Sequence, residues 1–286
     1  MHIGSEAHKE RFCRQFIDSH RDFDPGGLPW PELDDAASQR MRAVPFWKEV
    51  LHTERRAGRI VTAFAGTISD PLVQKAIELQ GFEEERHARL LDTMTRRYGL
   101  AAEEQEVEPI GPDLYEAFVD FGYGECVDSF LGFGVFKMAR QSGFLPDTLF
   151  EIFDMLMLEE TRHIVFFVNW MAWQQAMRGR GAPWLRTAVS ARYYARAIGR
   201  MLATIRRGRG ANDGKDFSAT QAGLFLDGFT FRRVLEACYA ENKRRMASFE
   251  PNLLRPRLLS DLAGAALTIL GFLPSPPVRR SHTLPS

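Results

Sequence analysis

The chain has 286 residues, is 45% hydrophobic and 12% aromatic, and balances 37 basic against 37 acidic side chains, enough apolar mass for one large core or a core with an appended domain. Cys13, Cys126 and Cys238 are odd in number, widely spaced and in no metal or redox motif, which excludes a disulfide framework and favours a reducing compartment. The N-terminus is polar and shows no signal peptide, and the longest apolar run, Leu262 to Leu273, falls short of the roughly 20 residues a spanning helix needs.

Residues 1–34 read as a short helix and a loop rich in Gly and Pro. A first long helix is predicted over about 34–68. Its apolar face runs through Trp47, Val50, Leu51, Ala57, Val61, Phe64 and Ile68, and Glu54 falls in the middle of it with no positive residue on that side. Glu49 and His52 share the opposite side with Arg56 and Arg59, a solvated face. Ser69 or Asp70 caps a second helix, Pro71 suits its first position, and Gly99 stops it. Within that helix, FEEERHARLL (82–91) places Glu84 and His87 three apart, hence on one face.

An acidic linker, Ala101 to Pro112, leads to a third helix over about 113–141, where Glu125 lines up with Phe118, Phe121 and Phe136. Gly143 and Pro146 punctuate the turn into a fourth helix ending near Gly181. It carries LEETRHIVFFVNW (158–170), in which Glu160 and His163 again lie three apart, on a face continued by Phe153, Leu156, Met157, Ile164, Phe167, Trp170 and Met171. Two further helices are predicted over about 220–248 and 257–272. No segment alternates as a strand does, so the fold expected is all-α.

Desolvating an ionised carboxylate costs several kcal/mol even after relaxation, so Glu and His paired inside an apolar stripe call for a compensating cation. With 21 Glu and 7 His in the chain, chance supplies about half of one Glu-x-x-His. Three occur, and two of them lie on apolar faces. Register agrees with a shared site: 15 residues separate Glu54 from Ser69 and 13 separate Pro71 from Glu84. At about 1.5 Å per residue the two carboxylates stand nearly level on antiparallel helices. Glu125 and Glu160 are level to within about one or two turns.

The order Glu54, Glu84-x-x-His87, Glu125, Glu160-x-x-His163 resembles the ferritin-like di-iron carboxylate superfamily over about residues 35–182. The resemblance implies a four-helix bundle with two irons bridged by Glu84 and Glu160, one His on each, and Glu54 and Glu125 at the outer positions. Manganese or a mixed pair would suit the same donors. Relatives often carry a second acid before each motif Glu, matched here by Glu83 and Glu159. Those acids would hydrogen-bond the free histidine nitrogens, each crossing to the other motif, although ordinary surface acids would look the same. Asp128 is a further candidate, as such an acid or as an extra ligand. The family's activities imply a di-iron, oxygen-dependent oxidoreductase acting with dioxygen on an organic, hydrophobic or carrier-bound substrate. The alternatives are a ferritin-type ferroxidase or iron-binding protein, and a non-enzymatic metal-binding interaction protein.

Glycines 122, 124, 132 and 134 interrupt the third helix at roughly 1 kcal/mol each, either for close packing or to open a substrate channel. Ala57, Gly58 and Ala65 leave space near Glu54 on the first. Residues 183–286 form a helical extension. From Thr161 to Asn212 there are ten Arg and no acid, and Arg192, Arg196 and Arg200 line one helix edge. That edge either pairs internally with the acids at 103–108 or receives an acidic carrier protein or an anionic membrane surface holding a small-molecule or lipid-like substrate. Nucleic acid is the weakest partner, because no binding motif accompanies the charge. The location expected is cytoplasmic or peripheral to a membrane, and the assembly a monomer or homodimer.

Overall fold

Capping side chains and glycines set most helix boundaries. Ser5 starts α1 (Glu6–Asp18), and a 3-10 turn follows at Pro25–Gly27. Asp34 caps α2 (Asp35–Ala43), and α3 spans Trp47–Ala65. Asp70 accepts from the backbone amides of Leu72 (3.0 Å) and Val73 (3.1 Å) to start α4 (Pro71–Arg97), which stops at Gly99 in the left-handed region (φ 59°). Asp113 caps α5 (Leu114–Gln141), α6 is Asp147–Met177, α7 is Pro183–Gly210, Thr230 caps α8 (Phe231–Met246), and α9 is Leu258–Phe272. The computed structural model describes residues 2–44, 47–100, 106–210 and 230–272, and every regular element among them is a helix. Among the described residues none is long and apolar enough to cross a membrane.

The single helix expected over 34–68 is two. Val44 is extended (ψ 114°), as the residue before Pro45 must be to clear the proline ring. Helix α8 begins at Phe231, and the part of the expected helix over 220–229 lies outside the described residues, as does 101–105 of the acidic linker.

Helices α3 and α4 form a tight hairpin. A Cβ on Gly81 would stand 2.6 Å from Thr62 Oγ1, and one on Gly58 would stand 2.9 Å from Glu85 Cγ. Gly58 therefore serves close packing on α4 and leaves no space beside Glu54. Helix α5 crosses α3 and α6 through Phe118, stacked on Phe64 (centroids 4.3 Å) and edge-on to Trp170 (5.0 Å). Helix α1 lies on α6, with Phe12 and Phe16 against Phe166, and belongs to the main apolar core. Asn169 of α6 ties α1 and the segment after α8 to α6: its amide bonds the backbone of Leu254 in both directions at 2.9 Å, and its oxygen meets His8 Nε2 at 3.1 Å.

The extension packs on the outer side of α5. Tyr193 of α7 stacks on Tyr123 at 5.2 Å. The basic edge of α7 is engaged there too, because Arg196 pairs with Glu116 (2.5 Å) and Asp120 (2.9 Å), and Arg200 with Asp120 (3.2 Å). Its described partners are thus acids of α5. Helix α8 meets α5 at Gly134, where a Cβ would stand 2.6 Å from the backbone nitrogen of Cys238. Backbone cannot step aside as a side chain does, so Gly134→Ala is expected to cost about 1–3 kcal/mol, read from the urea midpoint, with metal content unchanged. All three cysteines are free and buried.

Candidate metal centre

Helices α3, α4, α5 and α6 each turn charged side chains toward one point. The donor atoms of Glu54, Glu84, His87 and Glu160 lie within 4.8 Å of one another, and so do those of Glu84, Glu125 and His163. All six ligand candidates are thereby brought together, and Glu84 belongs to both groups. Glu160 also faces both imidazoles, at 3.0 Å from His87 Nδ1 and 3.8 Å from His163 Nδ1. The two rings are 5.5 Å apart. The third Glu-x-x-His is elsewhere: Glu49 is exposed, His52 half-buried, and neither joins a donor group among the described residues.

Behind the rings sits a second layer of charge. His163 Nε2 meets Glu83 at 2.9 Å and His87 Nε2 meets Glu159 at 3.0 Å, so each acid reaches the histidine of the other motif. With Nε2–H donating to carboxylate, each Nδ1 faces inward, where loss of its proton would free a lone pair for a metal. The acids are in turn held by arginines: Arg162 donates to Glu83 at 2.8 Å and Arg86 to Glu159 at 2.5 Å, and both arginines are buried. Helix α1 and the loop after it close the layer, with Arg162 bound to Ser19 Oγ (2.9 Å) and the Phe16 carbonyl, His20 on Glu83, and Asp22 on Arg86 (3.3 Å). His20, Glu83 and Glu159 also cluster closely enough to hold an ion. The two guanidiniums already supply the positive charge there, so this cluster is a support.

Arg86, Arg162, His20 and Gln80, whose amide donates to Glu84 at 3.3 Å, are absent from the ligand pattern. A signal for the arginines did exist in the repeated pentapeptide Glu-Glu-x-Arg-His at 83–87 and 159–163. Asp128 stands outside all three donor groups and is exposed.

Electrostatics show what the inner layer lacks. Burial, then the charges of Glu160 and Glu84, lift the Glu125 carboxyl well above the carboxylate range. Burial carries Glu54 up to about 7 against the pull of His87. The two histidines are raised well above the usual imidazole value, because the carboxylates around them outweigh the opposing effect of burial. Four carboxylates thus hold whatever positive charge is offered, and protons fill that role until a metal displaces them.

The donor set fits divalent metal. Glu84 Oε2, Glu125 Oε2 and Glu160 Oε2 are buried and have no hydrogen-bond partner among the described residues, and His87 Nδ1 and His163 Nδ1 face carboxylates of the cluster, at 3.0 Å from Glu160 and 3.1 Å from Glu84. Each such orphan oxygen costs about 1–3 kcal/mol, and here three of them converge. Carboxylate oxygen and imidazole together suit iron, manganese or zinc. Comparison with family models, with curated proteins and with solved structures returns no match for this chain.

Proposed function

We propose that this chain is a ferritin-like, di-iron, oxygen-dependent oxidoreductase acting on an organic, mainly apolar substrate. The observation that carries the proposal is the convergence of three buried, partnerless carboxylate oxygens and two inward imidazole nitrogens on three helices, with each imidazole oriented from behind by a carboxylate. The helix roles support it as well: α3 and α5 give one Glu each, α4 and α6 one Glu-x-x-His each, the arrangement of di-iron carboxylate bundles. Bound iron would supply a two-electron couple and an open coordination position for dioxygen.

The chain's own residues set the conditions for that chemistry. Glu84 and Glu160 stand between the two donor groups and would bridge. Glu54 and Glu125 sit at the outer positions, and they shed their protons when a cation arrives. Arg86 and Arg162 hold Glu159 and Glu83 in place as acceptors behind the imidazoles. The extension α7–α9 packs on α5 and adds about a hundred residues to the bundle, bulk that a closed shell of iron-storing copies would have to accommodate. The test loads anaerobic protein with ferrous iron and admits oxygen, with size-exclusion chromatography alongside. A monomer or dimer that develops a di-iron absorption band supports the proposal. A large hollow oligomer that mineralises iron, or protein that takes up no iron, overturns it.

A further inference from the structure

Helices α5 and α8 touch at Gly134 and Cys238. Beside that contact opens a cleft of about 720 Å³, lined by Lys137, Met138 and Gln141 of α5 and by Arg233, Glu236 and Ala237 of α8. Spacings of three and four make each wall a single helical face. Arg40 of α2 reaches the same cleft. Gly143, in the left-handed region (φ 65°), turns the chain where α5 ends, and the Phe144 carbonyl that follows accepts the Nε–H of Arg40 at 2.5 Å.

The cleft holds more positive charge than its acids answer. Arg40 is half-buried, and among the described residues it bonds that carbonyl and no carboxylate. The side chain of Lys137 is 33% exposed, and the carboxylate it meets, Glu241, stands 4.0 Å away. Glu241 is already taken, because Arg244 donates to it at 2.5–3.0 Å and Arg245 stands 3.1 Å from it. Glu236, the acid in the lining, is held by Arg232 at 2.9 Å. The chain as a whole balances its charges, so this excess is local. A half-buried cation without a counter-charge gives up hydration that an incoming anion restores.

We infer that this cleft is a second ligand site, apart from the metal centre, and that it binds an organic phosphate. With Nε committed to the Phe144 carbonyl, the guanidinium of Arg40 is fixed in orientation and offers its Nη groups as a fork, the geometry that suits phosphate oxygens. Lys137 adds a point charge from a different helix. Two cations from separate elements match a dianion, whereas a single carboxylate leaves one of them unanswered. Met138 and Phe144, both half-buried, give the organic body an apolar wall, and Ala237 and Ala240 leave room opposite. The volume lies within the range of small-molecule sites. Lys137 is twelve residues past Glu125 on α5, about 18 Å at 1.5 Å per residue, so metal plays no part in this site.

The test is calorimetric titration of the full chain with phenyl phosphate, benzoate and benzyl alcohol at low salt. Phenyl phosphate is expected to bind about tenfold more tightly than benzoate, and benzyl alcohol more weakly still. Lys137→Gln and Arg40→Gln should each remove about tenfold of the phenyl phosphate affinity, while Arg192→Gln, which removes an exposed cation of α7, leaves it unchanged. Helical circular dichroism and metal content, expected at wild-type values, check that each variant folds; should Arg40→Gln unfold through loss of its carbonyl bond, Lys137→Gln decides. Vesicles containing phosphatidic acid separate the two sources of phosphate: binding that Lys137→Gln abolishes assigns a lipid head, and none beside tight phenyl phosphate assigns a soluble ester. Wild type that ignores phenyl phosphate, benzoate that binds as tightly, or a Lys137→Gln loss no larger than that of Arg192→Gln overturns the inference.

Discussion

Glu84→Ala and Glu160→Ala are each expected to remove both metals, taking the purified protein from roughly two equivalents of transition metal to below about a tenth of one. The magnitude follows from position. Glu84 shares donor distance with Glu54, His87 and Glu160 on one side and with Glu125 and His163 on the other, so its loss breaks up both donor groups. Glu160 stands within 3.8 Å of both imidazole nitrogens. Outer residues should behave less drastically, with Glu54→Ala or Glu125→Ala weakening one metal more than the other. Glu49→Ala and His52→Ala, which have the same spacing on a solvated face, should leave metal content unchanged. A ligand that binds only the native state stabilises it by about 2.7 kcal/mol at a hundredfold excess over its Kd. Added metal should therefore raise the melting temperature of wild type and of His52→Ala, and leave Glu84→Ala where it was. Full metal content in Glu84→Ala, measured by elemental analysis, would show that the ions lie elsewhere.

The inward-facing Glu and His residues were legible in the sequence because a charge on an apolar stripe contradicts its surroundings. Glu54 is the only acid on the apolar face of α3, and that conflict is local. Arg162 shows where such reasoning fails. Counted along the chain, it is one more cation in a stretch of ten arginines, yet it is buried and bonds Glu83, 79 residues earlier. Partners so distant leave no trace in periodicity. The four glycines of α5 fail in the same way. Gly122 and Gly132 lie on either side of Glu125 and look alike in a helical projection, but the first is pressed against Phe167 and the second faces open space. Arg196 and Arg200 have the acids of 116 and 120 as partners, a choice made by how α7 lies on α5. The break before α3 was open to sequence reasoning, since Pro45 forbids Val44 a helical conformation. The strong apolar face running on past it concealed that signal.

Glu83→Ala is expected to cost the metal-free protein about 3–5 kcal/mol, the penalty of leaving a buried charge without its partner. Glu83 is fully buried and meets Arg162, His163 and His20. Burial alone would raise its carboxyl, but His163 and Arg162 together hold it well below the usual range. Its folded pKa therefore lies beneath the unfolded value, so this stabilisation is complete above pH of about 4.3 and is lost as pH falls through the folded pKa. Arg162 would keep Ser19 and the Phe16 carbonyl, which carry no negative charge, and the more distant Glu159 carboxylate at 4.0 Å, itself bonded by Arg86. Replacing both partners by apolar residues removes the unpaired charge, so Glu83→Leu with Arg162→Met should recover most of the lost stability. Metal affinity should not recover with it. His163 Nε2 would still lack its acceptor, and the loss of such a support typically costs 10–100-fold in affinity. Urea unfolding of metal-free protein, set beside metal titration of the same variants, separates the two roles. A double variant with wild-type affinity would mean that Glu83 serves only to neutralise Arg162, and that His163 is held in place by the packing of Phe16 and its own helix.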